Sequence, residues 1–411
     1  MSWTSIIWFI FIFCIIVVSH EFGHYIIARM NGIHVVEFTI GVGPKIVGFH
    51  KNGTYYVIRW IPFGGACIFD GMLDEEVIEN VSKNTKSLSE KAKVNMDSED
   101  EIADSVIESI TETDSESDEE DIALLNAADA MEKLENAHKF GLKFNEAPVW
   151  GRIATVVAGP LFNFILAYLL AIFIVWFCGS YDPMIHELMP DYPAAEAGIQ
   201  DGDIVTKINN ANVKLADEIS ILVALNRDGK PMDITYKRDG VTYTTTIVPK
   251  WSEDDQRYYL GLINYGEFVP CKSVKVFKYA AYEVRYCLVA TVRSLGMLFS
   301  GKGSMDDLAG PVGMVQLVGG VEQTAKPYGF FNLFLNMINL AMFLSVNLGI
   351  MNMLPIPAID GGRLLFLLIE AVRGKPVSPE KEGIVHFIGI ILLLILMIVV
   401  LFNDIGRLFI H

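Results

Sequence analysis

The pentapeptide HEFGH, residues 20–24, carries two histidines four residues apart, with a glutamate beside the first of them. On an α-helix, residues four apart differ by roughly 40° in direction and by one turn in height, so His20 and His24 point the same way. Two imidazoles placed like this can hold one zinc ion, and Glu21 can take a proton from a water molecule that the zinc activates. The spacing therefore predicts metal-dependent hydrolysis. The competing interpretation is a chance match on a surface helix.

The surroundings of this motif favour the metal interpretation, because the motif ends an apolar run. Four runs in the 411-residue chain are long and apolar enough to span a bilayer, namely residues 3–28, 153–178, 331–353 and 384–402. A charged group at the bilayer centre costs ~2.5 kcal/mol or more, so polar residues at that depth usually serve function. The first run lacks a basic start and a small-residue cleavage site, which argues against a signal peptide.

The stretch NLGIMNMLPIPAIDGGRL, at the end of the third run, supplies a candidate third ligand in Asp360. A catalytic zinc ion needs three protein ligands and one open position. Pro355 and Pro357 break the helix before this aspartate, and the two glycines that follow it permit an unusual backbone. The alternative is a turn or helix-end carboxylate just outside the bilayer.

Lysines and arginines near the ends of the apolar runs predict the orientation of the chain. None precedes the first run, whereas basic residues follow it, precede the second run and lie between the third and fourth, as at Arg29, Arg152 and Arg373. All of these fall on the cytosolic side if the N-terminus is outside. The predicted topology therefore has both termini outside, together with residues 180–330.

The negative charge of the chain is concentrated in one segment. The formal net charge is −17, and residues 74–135 contain 21 acidic and 5 basic residues, a net of −16, so the rest of the chain is near −1. We interpret this serine- and threonine-rich segment as a disordered or loosely helical cytosolic insertion. The alternative is a docking tail for a basic partner. No nucleic-acid partner is predicted.

Three further segments have recognisable patterns. In KIVGFHKNGTYYVIRWIPFGG, β-rich runs flank the Asn52-Gly53 pair, the strongest short hairpin signal, and large apolar residues such as Phe49 and Trp60 predict contact with the membrane. Residues 185–250 have the short strands and turns of a small β-rich domain. Residues 275–299 have helical spacing interrupted by charges, which favours a helix lying on the membrane or on that domain.

Together, HEFGH in the first run, a distant NMLPIPAIDGG and a PDZ-like domain between the second and third runs resemble the site-2 proteases. These are intramembrane zinc metalloproteases, and the resemblance is to the bacterial PDZ-containing RseP type. It covers most of the chain except the acidic segment. It implies a polytopic α-helical membrane protein with four transmembrane helices, a membrane-associated β hairpin and a small extracytoplasmic PDZ-like β-rich domain.

The resemblance also implies roles for individual residues, although isoleucine precedes Asp360 where the family usually has leucine. The ligands of one zinc ion per chain and the catalytic glutamate would be His20, His24, Asp360 and Glu21. The residues implied in substrate binding are Asn352, Gly41, Gly43 and Asn163. For Asn352 a local helix-end cap is the alternative. The two glycines belong to a segment beside the hairpin, which in the family offers an edge strand to the substrate.

The implied function is hydrolysis of peptide bonds within transmembrane segments of single-pass proteins. This is regulated intramembrane proteolysis, for example of an anti-sigma factor or of remnant signal peptides. The implied location is the cytoplasmic membrane, with membrane lipid and substrate proteins as partners. A cytosolic partner of the acidic segment belongs to the alternative interpretation of that segment. The PDZ-like domain would either keep large ectodomains from the site or bind a peptide carboxylate. The competing functions are a non-proteolytic PDZ-bearing scaffold and a metal transporter, which would scatter polar residues along several spans.

The sequence predicts six parts. These are residues 1–71 with the first transmembrane helix and the hairpin, 72–140 as the acidic insertion, 141–180 with the second transmembrane helix, 181–255 as the PDZ-like domain, 256–330 as a linker with an amphipathic helix, and 331–411 with the third and fourth transmembrane helices.

Overall fold

The structure, a computed structural model, describes residues 2–71, 140–253, 255, 257–301, 303 and 310–410. The predicted acidic insertion, apart from its last residue, lies outside the described residues. Within them the helices and strands follow in the order α1 Trp3–Met30, β1 Val35–Lys51, β2 Thr54–Phe69, α2 Val149–Cys178, β3 Ser180–Leu188, α3 Pro193–Glu196, β4 Ile204–Ile208, β5 Ala211–Asn212, α4 Ala216–Ala224, β6 Met232–Arg238, β7 Val241–Ile247, β8 Lys250–Ser252, β9 Arg257–Tyr259, β10 Leu262–Val269, α5 Lys275–Phe299, α6 Pro311–Ala325, α7 Phe330–Met353, α8 Asp360–Arg373 and α9 Pro379–Ile410.

The four predicted membrane spans are present as α1, α2, α7 and α9. Each contains an 18-residue window apolar enough to cross a bilayer. Several helices are longer than predicted, and α9 in particular begins at Pro379 and ends at Ile410. The reason is that apolar composition falls off at the membrane boundary, whereas the hydrogen-bonded backbone of a helix continues beyond it.

The chain divides into two compact units. One comprises Met1–Ser19, Pro160–Arg363 and Ser378–His411, and it contains the PDZ-like domain with α5, α6, α7 and α9. The other comprises His20–Gly159 and Leu364–Val377, and it contains the HEFGH motif, strands β1 and β2 and the first part of α2.

Strands β1 and β2 form more than the predicted two-stranded hairpin. The turn at Asn52 and Gly53 is present, with both residues at positive φ, as a type I′ turn requires. Residues 37–40 of β1, however, pair twice, once with residues 55–58 and once with residues 65–68 of β2. The ribbon therefore doubles back into a small sheet of four segments, whose outer edges are residues 45–51 and 61–69. Sequence pattern cannot show this second pairing, because it joins segments that are not adjacent in the chain.

A small apolar core anchors this sheet to the ends of the neighbouring helices. Val35 at the start of β1 and Phe69 at the end of β2 are buried together with Ala28 of α1 and Val156 of α2. Phe69 also stacks on Phe144, with ring centroids 5.2 Å apart. The base of the sheet is thus fixed by packing, whereas residues toward its other end, including Trp60, are exposed.

The PDZ-like domain is a six-stranded sheet with the path β10-β3-β4-β6-β7 and β5 paired to β4. Its core contains Ile185, Val205, Ile208 and Ile234, all buried, so the alternating apolar residues of the strands face inward. The sheet extends beyond the predicted boundary at residue 255, because β10 pairs antiparallel with β3 at the other end of the domain. A non-local pairing of this kind leaves no local signal in the sequence.

Residues 275–299 form a helix, α5, as predicted, and it contacts both the PDZ-like domain and the helices α2 and α7. On one side, the Tyr279 hydroxyl donates to Asp182 at 2.8 Å, and the Ser180 hydroxyl donates to Glu283 at 3.2 Å. On the other side, Ala280 and Cys287 of α5 pack in one buried cluster with residues of α2 and α7. Helix α5 therefore contacts both the domain and the helices α2 and α7.

One of these contacts predicts a dependence of stability on pH. Burial raises the pKa of the half-buried Glu283 carboxyl to about 7, and the nearby Asp217 charge adds to the shift. Because the pKa in the folded state exceeds the ordinary value of 4.5, the folded protein holds a proton that the unfolded chain loses between pH 4.5 and 7. Stability should therefore fall as pH rises through this window, by on the order of 1 kcal/mol.

The change that tests this prediction is Glu283→Gln. The melting temperature of the variant in detergent micelles should fall less than that of the wild type between pH 5 and 8. The variant should also be the more stable protein at pH 8. Glu187→Gln, at an exposed position of the PDZ-like domain, serves as the control and should follow the wild-type profile. Identical pH profiles of the melting temperature for wild type and Glu283→Gln would contradict the raised pKa of Glu283.

Helices α6 and α8, which lie outside the predicted spans, have no counterpart among the sequence-based predictions. In α6, the buried carboxylate of Glu322 accepts hydrogen bonds from Ser2 at 2.8 Å and Ser5 at 2.6 Å, and so ties α6 to the start of α1. Helix α8 begins at Asp360 itself. Both helices are too short and too mixed in polarity to stand out beside the long apolar runs.

Candidate metal centre and active site

The two histidines of HEFGH lie on one face of α1, as their spacing predicts. Both side chains are buried, with 7% of their surface exposed, and most other residues of this helix are apolar. Their Nε2 atoms are 3.2 Å apart and the ring planes meet at 86°. Two imidazole nitrogens that converge in this way are suited to binding one metal ion between them and poorly suited to apolar packing.

The proton on His24 is fixed by a contact with α2. Its Nδ1 lies 2.8 Å from the carbonyl oxygen of Thr155, which can only accept, so Nδ1 donates. In the neutral ring the lone pair is then on Nε2, the nitrogen that faces His20. A backbone carbonyl that orients a metal-binding histidine is the usual support in metal sites. Pro160, which lacks an amide hydrogen, lies one turn beyond this part of α2 and weakens its hydrogen-bond ladder.

Gly159 of α2 is a functional position that the sequence analysis missed. A Cβ atom added to this glycine would stand 2.3 Å from Nε2 of His24 and 2.8 Å from Cε1 of His20. Only a hydrogen atom fits there, so α2 forms a cradle around the imidazole pair. The signal that could have revealed it is a glycine-proline pair inside a membrane span, where both residues are poor helix formers.

Asp360 is placed at the first position of α8 by an irregular loop, residues 354–359. The two glycines after it are needed for the close approach of this loop. A Cβ on Gly361 would stand 1.9 Å from the Leu354 carbonyl oxygen, and one on Gly362 would stand 2.4 Å from that of Ile356. The loop therefore folds tightly over the start of the helix and fixes the direction of the carboxylate.

His20 and His24 belong to one of the two units and Asp360 to the other, so the set of three ligands stays a prediction. Two imidazole nitrogens and one carboxylate oxygen are a donor set typical of catalytic zinc, with a fourth position left for water or substrate.

Glu21 is half-buried on α1, next to the first histidine. Burial raises the pKa of the Cys67 thiol in β2, and the charge of Glu21 raises it further. Cys67 lies in residues 61–69, one of the two outer edges of the sheet. Glu21 and this edge of the sheet belong to the same unit.

The predicted substrate-binding residues have different surroundings. Gly41 and Gly43 are both at positive φ, and a Cβ on Gly41 would stand 2.7 Å from the Ile61 carbonyl oxygen, so this glycine is required for the sheet to double back. Asn163 is fully buried in α2, and its backbone carbonyl accepts a hydrogen bond from the Ser345 hydroxyl at 2.8 Å. Asn352 is half-buried near the end of α7.

One protein family matches nearly the whole chain. The sequence model of Peptidase family M50 matches residues 8–396, which include both HEFGH and the loop before Asp360. This chain belongs to Peptidase family M50. The resemblance to the site-2 proteases is therefore confirmed, and with it the predictions of a zinc-dependent peptidase and of a membrane protein with several transmembrane helices.

Relatives of this M50 peptidase match it over nearly their whole length. The chain is 36% identical to the regulator of sigma-W protease RasP of Bacillus subtilis and to the zinc metalloprotease RasP of Bacillus licheniformis, in each case over 98% of this chain and 99% of the relative. A solved PDZ domain of an SdrC-like protein from Listeria monocytogenes matches 20% of this chain and 84% of its own length, at 20% identity and a TM-score of 0.18.

Proposed function

We propose that this M50 peptidase cleaves transmembrane segments of single-pass membrane proteins, with one zinc ion held by His20, His24 and Asp360. The observation that carries the proposal is a buried, converging pair of imidazoles inside an apolar helix, cradled by a glycine of α2. The curated relatives include a regulator of sigma-W protease, which supports a regulatory role through proteolysis of a membrane-bound regulator such as an anti-sigma factor. Clearance of remnant signal peptides is the second form of the same reaction.

The residues fit a zinc ion by their chemistry. The hydrogen bond from His24 to the Thr155 carbonyl leaves a lone pair available, and the space at Gly159 keeps both rings in place. When bound, zinc lowers the pKa of a coordinated water to about 7 and polarises a carbonyl group. Glu21 is the general base and acid: its carboxylate takes a proton from the attacking water and delivers it to the nitrogen of the departing amine.

The substrate has to present an extended strand, because a helix keeps its carbonyl groups in internal hydrogen bonds. We assign the docking edge to residues 61–69 of β2, which pair on one side with β1 and include Cys67, the thiol whose pKa the Glu21 charge raises. Addition of a substrate strand to this edge is β-augmentation. In this assignment Gly41 and Gly43 shape the sheet, and Asn352 and Asn163 contribute hydrogen bonds near the unwound segment.

The proposed orientation has both termini outside the cytoplasm and the acidic insertion in the cytosol. The support is the position of basic residues such as Arg29, Arg152 and Arg373 at the ends of the apolar helices. The PDZ-like domain is then extracytoplasmic and limits the size of the ectodomain that can reach the site. Its polar contacts with α5, and the packing of α5 on α2 and α7, suit such a fixed gate. We retain the six predicted parts, with the PDZ-like domain extended to Val269. A basic cytosolic partner of the insertion is the alternative to an insertion that only contacts solvent.

The proposed ligand set predicts the metal content of two variants. Wild-type protein purified in detergent should contain one zinc ion per chain, and Asp360→Asn or His24→Gln should lose it during dialysis against a weak chelator. The reason is that a catalytic zinc with two protein ligands is held much more weakly than one with three. Elemental analysis of folded, monodisperse protein is the measurement.

The matched control for Asp360→Asn is Glu380→Gln. Glu380 is also a first-turn carboxylate, at the exposed start of α9, and its replacement should leave the zinc content unchanged. A zinc-free wild type, or full zinc content in both ligand variants, would overturn the proposed site.

A further inference from the structure

The last apolar helix, α9, contacts the loop before Asp360 at two points on one face. The amide of Ala358 donates a hydrogen bond to Nδ1 of His386 at 3.0 Å. Three residues along α9, a Cβ added to Gly389 would stand 2.4 Å from the Pro357 Cβ. Residues three apart share a helix face. The helix therefore offers this loop one hydrogen-bond acceptor and one position without a side chain.

The loop needs such support because its backbone is strained. Ala358 has a φ of +79°, in the left-handed region that a residue with a Cβ atom rarely adopts. Conformations of this kind persist only where the surroundings hold them, and they cluster at functional sites. The hydrogen bond to His386 is made by the amide of this strained residue. It therefore stabilises the conformation that sets the chain direction two residues before Asp360.

The same hydrogen bond fixes the tautomer of His386. An amide can only donate, so Nδ1 accepts and the hydrogen of the neutral ring is on Nε2. That nitrogen lies 3.8 Å from Oε1 of Glu382, one turn earlier on α9. A carboxylate, a histidine and a backbone group in succession resemble the supporting groups that orient ligands in metal sites.

We propose that His386 is a positioning residue for Asp360 and that α9 supports the active site as well as anchoring the chain in the membrane. This inference rests on the proposed role of Asp360 as a metal ligand. His386 acts through the backbone of Ala358 and does not touch the substrate. Its loss should therefore lower zinc affinity and kcat, and it should leave KM nearly unchanged.

Three substitutions of His386 in the full-length protein test the proposal. The side-chain oxygen of asparagine stands where histidine carries Nδ1, whereas that of glutamine stands closer to the position of Nε2. His386→Asn should therefore keep zinc affinity and cleavage of a model transmembrane substrate within about threefold of wild type, whereas His386→Gln and His386→Leu should lose about 10–100-fold in both. Zinc affinity is measured by competition with a chelator, and kcat and KM are measured in detergent micelles.

The controls separate this inference from the function on which it rests. Phe387→Leu, at the neighbouring exposed position of α9, should behave like wild type. If Asp360→Asn keeps wild-type zinc affinity, the ligand set itself is wrong. If Asp360→Asn loses zinc while all three His386 variants match wild type, the positioning role alone is overturned. Should His386→Leu fail to fold, the asparagine and glutamine variants decide, and equal losses in both would overturn the acceptor role.

Discussion

Glu21→Gln is expected to keep one zinc ion per chain and to lose cleavage of a transmembrane substrate by about 10²–10⁴-fold, the usual contribution of a general acid-base group. The amide has the size and shape of the carboxylate, and the imidazoles of His20 and His24 are unchanged. An amide cannot take a proton from water at neutral pH, however, and it cannot return one to the departing amine. The loss should therefore appear in kcat, with the zinc content and the fold intact.

This experiment separates the base from the metal ligands. Cleavage of a single-pass substrate in detergent micelles and elemental analysis are measured on the same preparation, with Glu187→Gln at an exposed position as the control. Cleavage at the wild-type rate would remove Glu21 from the mechanism. Loss of zinc from the variant would instead make Glu21 part of the metal site. In a cell, uncut membrane substrates should accumulate when Glu21→Gln replaces the wild type.

Gly159→Ala is expected to abolish zinc binding and cleavage, although only one methyl group is added. The new Cβ would stand 2.3 Å from Nε2 of His24, closer than any real contact of this kind. One of the two imidazoles must therefore move away from the position at which the nitrogens converge. Such a displacement disrupts metal coordination, because ligand atoms must lie within about 0.2 Å of their preferred distances from the metal.

The sign of the effect distinguishes this cause from helix propensity. Alanine is a better helix former than glycine by about 0.8–1.0 kcal/mol, so propensity alone would stabilise α2. The matched control is Gly406→Ala in α9, a helical glycine with nothing within 4 Å of an added Cβ, and it should keep full zinc content and activity. If Gly159→Ala binds zinc as the wild type does, the cradle assigned to α2 does not exist.

Part of the candidate site is local and was therefore readable from the sequence. The spacing of His20 and His24 places both rings on one helix face whatever the rest of the protein does, because the helix repeat fixes the direction of each side chain. The four spans are equally local, since twenty apolar residues in a row have few alternatives to a membrane. Asp360 could be named as the third ligand because a carboxylate between helix breakers and glycines is rare beside such a run.

Other features depend on contacts between segments far apart in the chain. The second pairing of residues 37–40 with residues 65–68 turns a hairpin into a four-segment sheet, and β10 closes the PDZ-like sheet by reaching back to β3. Neither pairing changes the local alternation of polar and apolar residues. The boundary predicted at residue 255 missed β10 for this reason.

The sequence by itself determined the family, the metal-binding motif and the spans, because each depends on residue types at fixed spacing along one helix or one apolar run. Only the tertiary structure decided which groups support the motif. The Thr155 carbonyl orients His24, Gly159 leaves room for both rings, and His386 holds the strained loop before Asp360. These roles arise from contacts a few ångströms long between different elements. A carbonyl, a glycine or a histidine has no particular meaning until the fold brings its partner close.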